Sequence, residues 1–259
     1  MAGKVPIGSV EVDCLTFDAA LDAVEALVRA RRGGAVFTPN VDHVVLADEH
    51  EAFRRSYARA DLCLADGMPL VWASRLLGRP LPERVSGSDL VPALLERAAA
   101  RGHRVYLLGG GPGTAERAEC VLRGRGVSVA GIDAPMLRDP LDPAERQPIV
   151  ERIRRAAPDL VLVAFGAPKQ ELFIDAARSE VNAVWIGVGA TLEFIAERIP
   201  RAPRWMSRHG LEWLHRLARE PRRLWRRYLV RDPRFALIVA RMFKDRRAGL
   251  ATARTAGLS

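Results

Sequence analysis

The sequence predicts an α/β domain on a Rossmann-like, mostly parallel sheet flanked by helices, followed by a basic helical appendage. Three observations predict it. Over the first 200 residues short β-branched runs alternate with stretches of helical periodicity, the pattern of consecutive βαβ units. Glycine- and proline-bearing turns stand where apolar runs give way to helical ones, as in Gly109-Gly-Gly-Pro-Gly113. After Ile199-Pro200 the character changes to arginine-rich helical segments.

Strands are expected near 5–12, 35–37, 61–65, 104–108, 127–131, 159–164 and 183–188. Helices fall between them near 17–31, 41–57, 68–77, 88–101, 114–123, 143–156, 169–179 and 191–197. Gly33-Gly34 stops the first helix; Ser88 with Asp89 caps the helix running to Arg101, and Gly102 ends it. Beyond 200, basic helical segments are expected near 204–219 and 221–243, separated by Pro221 and interrupted at Pro233. These divide the chain into an α/β domain over 1–200 and an appendage over 201–259.

The 259 residues, 49% of them hydrophobic, suffice for one large core. Cys14, Cys63 and Cys120 are odd in number and scattered, so neither a disulfide framework nor a zinc knuckle is indicated and a reducing cytoplasm fits. No leader-like or membrane-spanning run is present, so the chain is expected to be neither secreted nor transmembrane. The net charge of +9 is segregated: sixteen basic against four acidic side chains give residues 201–259 a net +12, leaving −3 for the rest. An anionic partner is therefore expected near the C-terminus. Trp205, Trp213 and Trp225 lie in this tail, where Leu224, Trp225, Tyr228 and Leu229 alternate with Arg222, Arg223, Arg226 and Arg227. That amphipathic pattern suits a membrane interface, where Trp and Arg together match the headgroup zone, ahead of the alternative of a hairpin packed on the domain with a solvated Arg face.

Three segments could carry chemistry. Val105 to Thr114 reads as a strand, a glycine-rich turn and a helix start; Gly109 and Gly110 would let the backbone approach a phosphate. It is neither a complete GxGxxG nor a P-loop. Thr38, Asn40 and Asp66 follow two early strands and, in an open parallel sheet, could converge at the carboxyl edge. Asp66-Gly67 is also an ordinary turn signal. Gly166-Ala-Pro-Lys-Gln-Glu171 sets Lys169, Gln170 and Glu171 at the mouth of the apolar strand Leu160–Val163. The chain has no DxD, HExxH or GxSxG pattern, and no metal cofactor is expected. His43, His50, His209 and His215 read as packing or surface residues.

Taken in order, eight blocks resemble the WecG/TagA/CpsF family of bacterial glycosyltransferases. They are Thr38-Pro-Asn-Val-Asp42, Leu62-Cys-Leu-Ala-Asp-Gly67, Arg84-Val-Ser-Gly-Ser-Asp89, Tyr106-Leu-Leu-Gly-Gly110, Gly166-Ala-Pro-Lys-Gln-Glu171, Gly187-Val-Gly-Ala-Thr191, Arg201-Ala-Pro203 and Leu211-Glu-Trp-Leu-His-Arg216. The resemblance implies metal-independent, inverting transfer from a UDP-sugar, of N-acetylmannosamine or a related hexose, to an undecaprenyl-diphosphate-linked sugar. Such transfer serves teichoic acid or other surface-polysaccharide synthesis at the inner face of the cell membrane. It implies Asp66 as general base, with Thr38, Asn40, Arg84 and Gln170 positioning substrates. Arg216, Arg223 and Arg226 of the appendage would close over the site and bind diphosphate. Gly109, Gly110, Gly166, Lys169 and Glu193 are the expected nucleotide-side residues. A homo-oligomer is compatible with the resemblance; nucleic acid is not an expected partner.

Glu193 stands where aspartate is usual, His215 where tyrosine is usual, and Gly131-Ile-Asp-Ala134 departs from the common stretch beside the expected donor pocket. Two rival readings have sequence support. A nicotinamide-dependent oxidoreductase would use the Gly109 turn with Asp133 as its ribose acid. A nucleic-acid-binding protein would use the arginine-rich tail. On the family reading, a chain lacking 201–259 is expected to stay folded but lose membrane association and turnover.

Overall fold

The computed structural model describes residues 3–200, 202–203, 206 and 210–256, with the side chains at 216, 223 and 249–256 outside the described set. It opens with a hairpin, β1 (Lys4–Ile7) and β2 (Val10–Asp13), paired antiparallel with Ile7 opposite Val10. The single strand expected over 5–12 is thus two strands joined by Gly8-Ser9. Val5, Ile7, Val10 and Val12 all remain buried, so the period-2 pattern survives the turn.

Next come α1 (Phe17–Ala30), β3 (Gly34–Phe37), α2 (Val41–Glu49), α3 (Glu51–Ala58), β4 (Leu62–Cys63), α4 (Met68–Leu76) and α5 (Gly87–Arg101). They are followed by β5 (Arg104–Gly109), α6 (Thr114–Gly124), β6 (Ser128–Asp133), α7 (Pro143–Ala156), β7 (Leu160–Ala164), α8 (Lys169–Ala177), β8 (Val184–Gly187) and α9 (Thr191–Ile195). β3 to β8 form one six-stranded sheet in the order β4-β3-β8-β7-β5-β6, with every neighbouring pair parallel. The central β7 is buried on both faces from Leu160 to Val163, which accounts for its unbroken apolar sequence. One face is covered mainly by α1, α5, α6 and α9; the other by α2, α3, α7 and α8 with the hairpin. This is the expected Rossmann-like architecture.

Two local expectations are corrected. The helix expected over 41–57 breaks at His50, whose extended backbone (φ −122°, ψ 109°) starts α3 afresh. On α3, Phe53 and Tyr57 pack against each other one turn apart, and Tyr57 packs against Phe37, with 5.1 Å between ring centroids in each pair. The N-cap position of α5 is Ser86 rather than Ser88; its hydroxyl caps no backbone N–H and donates instead to Asp89 Oδ2 at 2.7 Å. Gly102 ends α5 in the left-handed region at φ 71°, as expected.

The C-terminal helices are α10 (Glu212–Arg219), α11 (Pro221–Trp225), a π-helical turn over Arg226–Arg231, and α12 (Arg234–Ala256). The segment expected near 204–219 is described as a helix from Glu212 on; Trp205 and His209 lie outside the described residues. Pro221 and Pro233 mark breaks as expected, and α12 runs beyond the expected end at 243. Its Phe235, Ile238 and Val239 are buried in the cluster that holds Ile7, Val10, Val44 and Phe37. Gly8 explains how α12 comes so close: a Cβ there would stand 2.8 Å from Val44 Cγ1 and 3.0 Å from Ile238 Cγ2, and its N–H reaches Met242 Sδ at 3.0 Å. No helix among the described residues is long and apolar enough to cross a membrane.

Candidate active site

Asp66 is placed by backbone bonds that extend sheet pairing beyond β3 and β4. Leu64 N–H donates to Phe37 O and Asp66 N–H to Pro39 O, each at 2.9 Å, while Val85 N–H donates to Ala65 O. Gly67 then turns at φ 133° and α4 begins, leaving Asp66 at the carboxyl edge of the sheet. Its Oδ2 accepts the Gly87 N–H at 3.4 Å. Asn40, following β3, caps α2 by accepting the His43 N–H at 3.3 Å. Arg84 is held by Asp89 at 2.7 Å, with Glu212 at 3.7 Å; its side chain is 16% exposed.

Asn40, Asp66 and Arg84 line one open cavity of about 400 Å³. Thr38 is buried beside Gly87, where a Cβ would stand 3.0 Å from Thr38 Oγ1. The cavity's opposite wall is C-terminal: Gly210, Glu212, Trp213, Arg227, Tyr228, Asp232, Phe235 and neighbours. Both sides mix the two kinds of group: Asp66 and Arg84 stand beside Val41, Met68 and Pro69, and Glu212, Arg227 and Asp232 beside Trp213 and Phe235. Such a cavity suits a ligand with an anionic group and an apolar body.

Gln170 is placed differently from Asp66. Buried at the start of α8, it donates to Glu171 Oε1 at 2.8 Å and accepts the Gly189 N–H at 3.1 Å, tying β7's exit to β8's exit. The same layer holds Asp42 of α2, whose buried carboxylate pairs with Arg227 (3.2 Å) and Arg231 (2.9 Å). Burial pushes the Glu171 carboxyl up to about 7, its Gln170 hydrogen bond pulling the other way. Burial also lifts Asp232 to about 6 against the pull of Arg227. His43 is depressed to about 3 by burial and by Arg227, so it is a neutral hydrogen-bond partner of the Tyr57 hydroxyl at 3.0 Å. Burial raises the Cys63 thiol to about 12, which leaves no thiolate there to react.

The Glu171 shift gives a pH prediction. A carboxyl that binds its proton more tightly in the native than in the unfolded chain loses stability as pH rises from its ordinary 4.5 towards about 7, and Asp232 acts with the same sign. One such group contributes a slope of at most ~1.4 kcal/mol per pH unit. Urea denaturation across this window should show a shallower decline for Glu171→Gln, whose amide oxygen can still accept from Gln170. Equal slopes in variant and wild type would mean that Glu171 is already ionised in the native protein.

The expected nucleotide-side residues occupy the other half of the carboxyl edge. Gly109 and Gly110 both turn with positive φ, and Gly110 N–H reaches Ala164 O at 3.1 Å. A Cβ on Gly109 would meet the Ala164 backbone at 3.0 Å, so glycine is required there by close strand approach. Glu193 folds onto the turn: its Oε1 accepts the Gly111 N–H at 3.1 Å and the Thr114 hydroxyl at 2.8 Å. A carboxylate of the chain thus sits on the donors at the start of α6. Gly166 turns at φ 76°, and Lys169 donates from Nζ to Leu137 O at 2.9 Å. None of these five lines the Asp66 cavity. Asp133, the acid the nicotinamide reading needs, is paired with Arg152 at 2.6 Å.

Among the appendage arginines, Arg226 is exposed with its guanidinium over the Trp225 ring and is not part of the cavity lining. Arg216 and Arg223 sit on α10 and α11, and their side chains lie outside the described residues. The appendage arginine that lines the cavity among the described residues, Arg227, is not singled out by the sequence motifs. Its signal is the arginine pair preceding Tyr228, of which periodicity alone does not say which member points inward.

Residues 5–249 match the model of the Glycosyl transferase WecG/TagA/CpsF family. An N-acetylglucosaminyldiphosphoundecaprenol N-acetyl-beta-D-mannosaminyltransferase of Bacillus spizizenii is 33% identical over 201 residues, covering 76% of each chain.

Proposed function

The chain belongs to the WecG/TagA/CpsF family of glycosyltransferases, and from that premise we propose that it transfers a sugar from a UDP-sugar to a sugar carried on undecaprenyl diphosphate. The donor is of the N-acetylmannosamine type or a related hexose, and the product feeds teichoic acid or another surface polysaccharide. The observation that carries the reading is one cavity where Asp66 and Arg84 of the α/β domain face Arg227 of the C-terminal segment. The activity for which the Bacillus spizizenii relative is named, on an acceptor of this kind, agrees with it.

In the proposed reaction Asp66 accepts the proton of the acceptor hydroxyl as its oxygen bonds to the anomeric carbon. The bond from that carbon to UDP breaks on the opposite face, so the configuration inverts. Fixed guanidinium charge, rather than a metal ion, balances the departing diphosphate. Thr38 and Asn40 set the walls around Asp66, and Gln170 holds the neighbouring loop. Gly109, Gly110, Gly166, Lys169 and Glu193 shape the donor side, with Glu193 as a brace of the glycine-rich turn. Arg216, Arg223 and Arg226 act at the lipid phosphate or the membrane surface. Exposed Trp225, Leu229, Val230 and Leu237 among arginines support peripheral contact with an anionic bilayer.

UDP release from a panel of UDP-sugars, with a short-chain lipid-diphosphate N-acetylglucosamine acceptor and EDTA, tests the reading. Acceptor-dependent release from one donor is expected. Release that requires added divalent metal overturns the metal-independent step, and absence of release from every donor overturns the substrate assignment.

A further inference from the structure

The buried carboxylate of Asp42 has no part in the reaction as described, yet it is one of the most enclosed charges in the molecule. Its side chain is 6% exposed at the first turn of α2, two residues after Asn40, and it meets two arginines from a segment some 185 residues away in the chain. Arg231 Nη1 lies 2.9 Å from Oδ1 and Arg227 Nε 3.2 Å from Oδ2. Arg227 also donates from Nη2 to Asn40 Oδ1 at 3.1 Å. Nε and Nη2 lie along one edge of the guanidinium; the Asn40 contact is a hydrogen bond, whereas Asp42 holds the group by charge, since neither Arg227 Nε nor Asp42 Oδ1 has a hydrogen-bond partner. Nη1 is left without a protein partner among the described residues, on a side chain that lines the Asp66 cavity. Arg231 shares the carboxylate but does not line that cavity.

We propose that Asp42 is a positioning residue: with Asn40 it forms a socket that holds Arg227 in the cavity wall, where the remaining guanidinium edge receives the diphosphate of the substrate. The proposal rests on the glycosyltransferase reading for the identity of the diphosphate and adds residues to it. An arginine on a mobile stem loses conformational freedom when it binds an anion; one already held by a hydrogen bond to Asn40 and by the charge of Asp42 has lost much of it beforehand. Burial of the Asp42 carboxylate strengthens its attraction for Arg227, whose side chain is 22% exposed where it lines the cavity. The acids around the socket are Asp42, Glu171 and Asp232, the bases Arg227 and Arg231, and the buried His43 is neutral. Asp42 is the one acid whose two oxygens each face an arginine, so neutralising it is expected to release Arg227 most completely.

The two arginines separate positioning from general support of the fold. Binding of farnesyl diphosphate to the full chain is measured by calorimetry for wild type, Asp42→Asn, Asp42→Glu, Arg227→Gln and Arg231→Gln, with thermal melting of each. Asp42→Asn and Arg227→Gln should weaken binding roughly 10- to 100-fold, the range of one charge-assisted contact, and a further variant that combines Asp42→Asn with Arg227→Gln should be no weaker than Arg227→Gln alone. Arg231→Gln removes the other half of the same ion pair and should bind within about twofold of wild type, a margin smaller than the worth of one such contact. Asp42→Glu should recover part of the loss. Equal weakening in Asp42→Asn, Arg227→Gln and Arg231→Gln, tracking their melting temperatures, overturns the proposal, as does wild type that fails to bind the probe. Binding that behaves as expected in a protein without UDP-sugar turnover would instead remove the transferase reading and leave the socket standing.

Discussion

Asp66→Asn is expected to lower kcat by about 10²- to 10⁴-fold, the usual contribution of a positioned general base, with little change in KM for the donor. The amide is nearly the same shape as the carboxylate, and its oxygen can still accept the Gly87 N–H that the carboxylate accepts at 3.4 Å. The backbone bonds from Asp66 N–H to Pro39 and from Val85 N–H to Ala65 are untouched, so fold and cavity should persist. What disappears is a proton acceptor at the point where the acceptor hydroxyl must be deprotonated. Turnover and UDP binding are measured on the same preparation. A variant that keeps more than about a tenth of wild-type kcat would place the base elsewhere, and loss of UDP binding along with turnover would show that the substitution damaged the site rather than its chemistry.

The parts of the site that could be read from sequence are those whose position follows from strand ends. Thr38, Asn40 and Asp66 come directly after apolar runs, and parallel strands must deliver such residues to one edge. Arg84 and Gln170 entered through the family resemblance. Arg84 lines the cavity, whereas Gln170 turned out to brace β7's exit against β8's. The Asp42 socket was not legible, because an aspartate in the first turn of a helix ordinarily reads as a solvated charge near the helix dipole. Only the return of the C-terminal segment buries it. The carboxylate of Glu193 on the glycine-rich turn was equally hidden, since Gly111 and Glu193 are 82 residues apart and no local pattern links them. In the fold, the hairpin at Gly8-Ser9 was missed because the alternation of buried residues runs through it. The break at His50 was missed because helical periodicity continues on both sides of it.

Removal of residues 201–259 is expected to do more than abolish turnover: it should bring the remaining chain close to unfolding at room temperature. The sequence suggests an appendage that can be lost without harm to the α/β domain, but the packing of α12 changes that expectation. Phe235, Ile238 and Val239 are buried against the hairpin and α2. Their removal uncovers Ile7, Val10 and Val44, and the burial lost exceeds the conformational entropy regained by not ordering the segment. Whole domains of this kind are stable by only about 5–15 kcal/mol. Urea denaturation followed by circular dichroism compares residues 1–200 with the full chain. The expected result is a midpoint shifted sharply towards zero denaturant, with aggregation on concentration through the bared apolar face. Midpoints that coincide would mean that the C-terminal helices dock without stabilising the domain. In that case they would be free to leave the cavity at little cost, and Arg227 would reach the substrate as part of a moving lid rather than a fixed wall.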